Sequence, residues 1–569
     1  MEAVAPFVTE EGEDPEIDPS TLPQAVPPPL RRPSEPPVFR PLRAYAFDPS
    51  RADRAGNVMT IPVRYEKLGP GPVGSRVHVI DYDASRNCYY DPVDLDDPLI
   101  ALRGGLDPSE SDPRFHQQMV YAVTCETLRR VESALGRTVR RRTPEGAAPL
   151  ILRAYPHVSR LTNAHTDHTT GAMVFGYFRA VAGATGRTLP GQTVFTCLSH
   201  DVIAHAAMHI LVRAGIRPDL ALTSAVDLDA FHEGFSDAVA LLLHFSYREA
   251  VLDTIQRTAG SLHGALVHGD GGDAAEASAR IQAEVALDNP LLTIGNEFAE
   301  ALGQRGGLRS ALGQRPDPSA LDTITESHAR GAILLAALFD ALFTVYVEKS
   351  LDLFRIYRAG GGRLEAGDLP APLVERLFAE IDGVATRVFD TCIQALDYCP
   401  PVRFALGDFL RACITADLEA VPADTWGVRE ALMLAFRRRG LKPSGASFFS
   451  EEALRWPRVD ATRLTRPGPA LAGLAESDEA SSAGNQEALR AFVEENAVAL
   501  GLSRGAAVDV YPLEVSRIVG ADGTVQTTLV TQALEKPRGR GNVTPARGVS
   551  LVLDGTGRLR YAIPTSPGA

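Results

Sequence analysis

The order of patterns along the chain predicts an α+β protein of two lobes, β-rich first and α-helical second, with a small α+β domain after them. Three observations carry this. Strand-like runs broken by Gly, Pro and Asp turns fill the chain up to about residue 195, and helical periodicity dominates from there to about 443. After a stretch rich in Pro, Ser, Gly and Ala come one more helix and further strand-like runs.

Taken in order, residues 1–41 are acidic and then proline-rich, a composition that buries too little apolar surface to offset chain entropy, and a disordered arm is expected. Residues 42–195 form the β-rich lobe. VMTIPVRY, SRVHVIDYD, LILRAYP and AMVFGYFRA read as strands, and HQQMVYAVTCETLRRVESAL reads as a helix that Gly136 ends. Residues 196–443 form the helical lobe, with VIAHAAMHILVRAG, FHEGFSDAVALLLHFSYREAVL and SHARGAILLAALFDALFTVYVEKSL as its long segments. Residues 444–485 read as a linker. Residues 486–569 read as a separate small domain, from the helix QEALRAFVEENAVALG and strand-like runs such as TVQTTLVTQALE and GVSLVLD. The linker is long enough for that domain to reach across the first two lobes, so a regulatory or recruiting role is expected of it.

Composition bounds the function. Hydrophobic residues at 45% and charged residues at 22% suit a folded globular chain, and 569 residues suit two to four domains. A net charge of −14 opposes general affinity for nucleic acid or an anionic membrane. The basic runs Arg140–Arg142 and Arg437–Arg439 read as solvated faces. The acidic first twenty residues lack an export signal and no apolar run is long enough to span a bilayer, so a cytoplasmic location is expected. Cys88, Cys125, Cys197, Cys392, Cys399 and Cys413 show no CxxC spacing and read as buried free thiols.

The chemistry concentrates in Asp201-Val-Ile-Ala-His205-Ala206-Ala207-Met208-His209 and in Phe231-His232-Glu233-Gly-Phe-Ser-Asp237. Histidines four apart on a helix share one face, so two imidazoles reach one metal. Glu233 opens a second helical pattern and offers a third ligand, leaving a fourth position open as catalytic zinc requires. Asp237, one turn further, is placed to orient a ligand imidazole. His165-Thr-Asp-His168 reads as substrate contact or a solvated turn rather than a second metal pair.

These segments resemble the HExxH and ExxxD signatures of the thermolysin-like zinc metallopeptidases, the gluzincins. Three further landmarks come in family order: Asn163-Ala164 followed by Met173-Val-Phe-Gly, Gly307-Leu-Arg309-Ser310, and Ser327-His328-Ala-Arg-Gly331. The resemblance covers roughly residues 42–442. It implies a two-lobed peptidase fold and one zinc per chain on His205, His209 and Glu233, with Asp237 orienting a ligand. It also implies oxyanion support from His328, and substrate alignment by Asn163, Ala164 and Arg309 for a peptide or protein partner.

Two departures qualify what it implies. The family's catalytic glutamate, directly after the first zinc histidine, is replaced by Ala206, whose methyl group cannot act as a base, so the chain as it stands is expected to be inactive. The stretch from Arg217 to His232 also lacks the family's second oxyanion donor, a tyrosine. Calcium is not expected: Asp201 matches one family calcium ligand, but His244 and Asn296 stand where further acids would be needed. The expected function is a zinc-dependent endopeptidase in an inactivated form. The alternative is a natural pseudopeptidase that keeps zinc and binds peptides, and retention of the substrate and oxyanion residues favours the first.

Overall fold

Strand Phe39–Tyr45 pairs antiparallel with Val58–Arg64, and the alternation of the two runs turns Leu42, Ala44, Met59, Ile61 and Val63 inward. These residues pack on a long helix, Pro113–Leu135, whose ends follow local rules. Asp112 caps it by accepting from Arg114 N, Pro113 occupies its first turn, and Gly136 closes it in the left-handed region. The computed structural model describes residues 37–222, 225–262, 289–304, 306–312, 316–465, 483–520, 523–536 and 547–566. The architecture is mixed α+β.

A five-stranded mixed sheet lies beside the long helix, in the order Thr193–Phe195, Ala172–Arg179, Leu152–Ser159, Val77–Val79. The central Leu152–Ser159 runs parallel to both neighbours. Strand Ala164–Asp167 pairs antiparallel with the first half of Ala172–Arg179 and lies against the helix that follows the sheet.

That helix, His200–Ile210, runs into a wider π-helical stretch, Leu211–Ile216. It packs on helix Val226–His244, which in turn crosses the long helix Ser327–Ala359. At the crossing two glycines meet: a Cβ on Gly234 would lie 2.3 Å from the carbonyl oxygen of Gly331. Only residues without side chains allow this approach, and it brings Glu233, beside Gly234, to the start of the opposite helix. Helices Ala371–Ala395, Asp408–Ala420 and Val428–Arg438 complete the helical half. Ser327–Ala359 is the one described helix long and apolar enough to cross a bilayer, and most of its apolar stretch is buried in the protein.

Several expectations change. The predicted arm 1–41 falls largely outside the described residues, and its last three residues already belong to strand Phe39–Tyr45. The predicted linker is ordered from 444 to 465, where Trp456 is buried with its Nε1–H donating to Tyr398 O at 2.9 Å; residues 466–482 lie outside the described residues.

The C-terminal segment is not separate. Helix Ala483–Glu495 has its own small core with a five-stranded sheet, but Val552, Tyr561 and Ile563 of that sheet enter the main core. The described residues from Phe39 onward form one compact unit. Arg142 of the first basic run helps dock this segment, and Arg439 of the second fastens a helix within the helical half. Arg142 is 3% exposed and donates to Pro512 O at 2.8 Å, and Arg439 donates to Asp340 Oδ2 at 2.7 Å, so neither is the solvated residue its charge run implied.

Candidate metal centre

The four-residue spacing works as expected on helix His200–Ile210: His205 Nε2 and His209 Nε2 lie 3.0 Å apart on one face. Helix Val226–His244 brings Glu233 in from the side. Its Oε2 is 3.5 Å from His205 Nε2 and its Oε1 is 3.6 Å from His209 Nε2. Ligand atoms from the three residues all lie within 4.8 Å of one another.

Asp237 stands one turn beyond Glu233 and accepts from His205 Nδ1 at 2.7 Å, which fixes the tautomer and leaves Nε2 as the ligating atom. Arg309, from the short strand Arg309–Ser310, donates to both oxygens of Asp237 at 2.5 and 2.7 Å. Its guanidinium is thus engaged in holding Asp237. His328 sits in the first turn of Ser327–Ala359, with Nε2 3.2 Å from Glu233 Oε2 and Nδ1 2.8 Å from Glu326 Oε1. Glu326 also caps the helix by accepting from the backbone of His328 and Ala329, so one carboxylate both starts the helix and orients the histidine. The sequence reading passed over Glu326, and its place two residues before His328 was the available signal.

The charges fit a cation site. Burial opposes charge on Asp237, but Arg309 and His205 outweigh it and hold the carboxyl down at about 2. Burial likewise opposes charge on His205, yet Asp237 and Glu233 raise it to about 9. Burial, with charge on His205, lowers His209. Without a metal, then, one ring is charged at neutral pH and a binding cation displaces its proton. Glu233 Oε2 is buried and makes no hydrogen bond of good geometry. Two imidazoles and a carboxylate with an orphaned oxygen are the donor set that zinc takes in catalytic sites, so the residues fit the metal.

Ala206 is 3% exposed and its methyl group belongs to the main core. Asn163 is exposed and Ala164 half-buried, at the start of edge strand Ala164–Asp167; Asn163 O accepts from Gly176 N, and its side chain accepts from Ala164 N. His165 and His168 do not converge on a metal group, and Asp167 between them holds Thr169 and Thr170 in a turn. A cavity of about 390 Å³ opens beside Glu233, lined also by Arg213, Asp229 and His232.

Asp201, in the first turn of the same helix, is buried and accepts from Ser199 Oγ, Val202 N and Gly295 N. Burial outweighs those hydrogen bonds and, with the Asp48 charge, pushes the carboxyl up to about 6. A folded-state pKa above the unfolded value means that folding takes up a proton. The resulting stability is fully present below about pH 4 and is lost as pH rises through about 6. Asp201→Asn should remove this dependence, so its stability relative to the parent should improve by about 3 kcal/mol between pH 4 and 7. Denaturant titrations at the two pH values measure it, and a pH-independent gap between the proteins refutes it. The amide placed against Gly295 N–H adds a penalty, but one that does not vary with pH.

No family model matches the chain, and no curated protein matches it either.

Proposed function

We propose that this chain is a zinc-binding scaffold of the thermolysin-like endopeptidase type, lacking its general base and so inactive as it stands. The convergence of His205, His209 and the orphaned Glu233 oxygen, with Asp237 locking the tautomer of His205, carries the reading. Zinc bound there supplies Lewis-acid polarisation of a peptide carbonyl and of water. The residues do the rest. Edge strand Ala164–Asp167, beside the metal helix, offers backbone groups that align an extended peptide as an added strand, starting at Asn163 and Ala164. His328 Nε2, close to Glu233 and half exposed, donates to the oxyanion when the ring is doubly protonated, its Nδ1–H being held by Glu326. Arg309 keeps Asp237 ionised and in place. No group at position 206 takes the proton.

One observation favours the second reading, a natural pseudopeptidase that holds peptides without cutting them. Ala206 is packed into the core, as a residue settled in its environment would be. Both readings require the metal. Metal analysis of protein purified without chelator should show one zinc fewer per chain in His209→Ala and in Glu233→Ala than in the parent, and no difference in His168→Ala. Equal zinc in the parent and His209→Ala would remove the proposal.

A further inference from the structure

A second set of ligand-type side chains lies inside the β-rich half, made of residues other than the first set. Helix Pro113–Leu135 supplies His116, strand Leu152–Ser159 supplies His157, and the turn Thr196–Leu198 supplies Cys197. Ligand atoms of the three lie within 4.8 Å of one another, and the residues are 1%, 1% and 0% exposed.

Their hydrogen bonding is incomplete in a specific way. His157 Nδ1 donates to Asp81 Oδ1 at 2.8 Å, and Gln117 Nε2 holds the other Asp81 oxygen at 2.8 Å. This fixes the tautomer of His157 and turns its Nε2 lone pair toward His116 Nδ1 at 2.7 Å and Cys197 Sγ at 3.9 Å. His116 Nε2 is buried with no hydrogen-bond partner. If His116 carries its hydrogen on Nδ1, a lone pair is buried unused on Nε2. If it carries the hydrogen on Nε2, two lone pairs face each other. A cation taking both inward-facing lone pairs removes the second conflict, and the carbonyls of Ser109 and Glu110, which act on this ring, are the backbone groups available to an Nε2–H.

The spacing is close to what one ion needs. With metal–nitrogen bonds of about 2.0–2.1 Å and a metal–sulfur bond of about 2.3 Å at tetrahedral angles, the nitrogens sit roughly 3.3 Å apart and nitrogen and sulfur roughly 3.5 Å. The observed separations differ from these by about half an ångström, and the ring nitrogens of His205 and His209 show the same closeness. Two imidazoles and a thiol select a thiophilic ion over calcium or magnesium. Phe195 packs on both rings, at 4.7 Å from His116 and 5.4 Å from His157, and Tyr90 lies 5.0 Å from His157.

We propose that His116, His157 and Cys197 form a second metal site, buried in the protein, for a divalent cation of the zinc type, with Asp81 orienting His157. Binding forms bonds from the cation to two ring nitrogens and to sulfur, and releases the thiol proton to solvent. The role is structural. The ion ties the long helix and the sheet to Cys197, three residues before His200 begins the helix that carries His205 and His209.

The test uses a His209→Ala background, which disables the first site and leaves this one intact whatever the outcome for the proposed function. Expressed in cobalt-supplemented medium, this protein should hold about one cobalt per chain and show a near-ultraviolet thiolate-to-cobalt absorption, which the histidine–glutamate site cannot produce. Adding Cys197→Ser or His116→Gln should abolish the absorption and the retained metal. A folded, cobalt-grown His209→Ala protein without the absorption overturns the proposal, as does an absorption that both substitutions leave unchanged. Where a double variant fails to fold, X-ray absorption of the cobalt-grown His209→Ala protein decides: one sulfur neighbour supports the site and none overturns it.

Discussion

Ala206→Glu is expected to raise zinc-dependent hydrolysis of peptide bonds by about 10²–10⁴-fold, the contribution a positioned general base makes. The proposed zinc ligands and the groups that orient them are present around this position. His205, His209 and Glu233 converge, Asp237 and Arg309 lock the first ring, and His328 stands beside the carboxylate. The obstacle is space. The methyl group of Ala206 is 3% exposed within the main core, so a glutamate side chain gains function only if its carboxylate extends out of that core to the cleft. A carboxylate held inside would be a buried unpaired charge and would lower stability. The experiment therefore reads two quantities on one protein: thermal stability, and cleavage of a quenched-fluorescent peptide library with and without chelator. A stable, zinc-loaded variant with chelator-sensitive cleavage supports an inactivated peptidase. A stable, zinc-loaded variant that binds peptide but does not cleave it supports the pseudopeptidase reading.

What the sequence made legible is local, and what it hid is long-range. His205 and His209 were visible because helical geometry alone puts residues four apart on one face. Glu233 and Asp237 were visible because the same spacing recurs in the next helical pattern. The strands and the long helix Pro113–Leu135 were legible from alternation, a capping aspartate and a closing glycine. The docking of the C-terminal sheet was not, since it rests on pairs such as Arg142 with Pro512, 370 positions apart, and a charged residue in sequence carries no mark of the partner that buries it. The trio of His116, His157 and Cys197 was hidden for the same reason, with His116 and His157 separated by 41 positions on a helix and a strand. The Gly234–Gly331 contact lies between these extremes: each glycine was visible inside a helical pattern, but only the crossing shows that the two face each other and so bring Glu233 to His328.

Arg217→Ala should be the most destabilising single change among the buried polar residues described, at a cost of about 3–5 kcal/mol, as expected when one partner of a buried ion pair is removed. The side chains of Arg217 and Asp219 are both fully buried and joined through two hydrogen bonds, at 2.9 and 2.7 Å. The guanidinium also donates to the carbonyls of Leu396, Cys399 and Pro400 at 2.6, 2.9 and 3.0 Å, and it lies 3.4 Å from Ser550 Oγ in the C-terminal sheet. Arg217 directly follows the π-helical stretch that ends helix His200–Ile210. One residue thus joins the end of that helix, the turn at 396–400 and the last strands of the chain. Its loss leaves Asp219 as a buried charge without its counter-ion and takes a charged donor away from three carbonyls. Two readouts follow. Denaturant unfolding should show the stability loss for Arg217→Ala, and a comparable one for Asp219→Ala. Limited proteolysis should cut first within the C-terminal sheet once Ser550, which also donates to Cys399 O at 2.8 Å, loses its neighbour. The double change Arg217→Met with Asp219→Leu removes both charges and should recover part of the loss. A loss below about 1 kcal/mol in both single variants would show that the network is not what fastens the C-terminal sheet to the helical half.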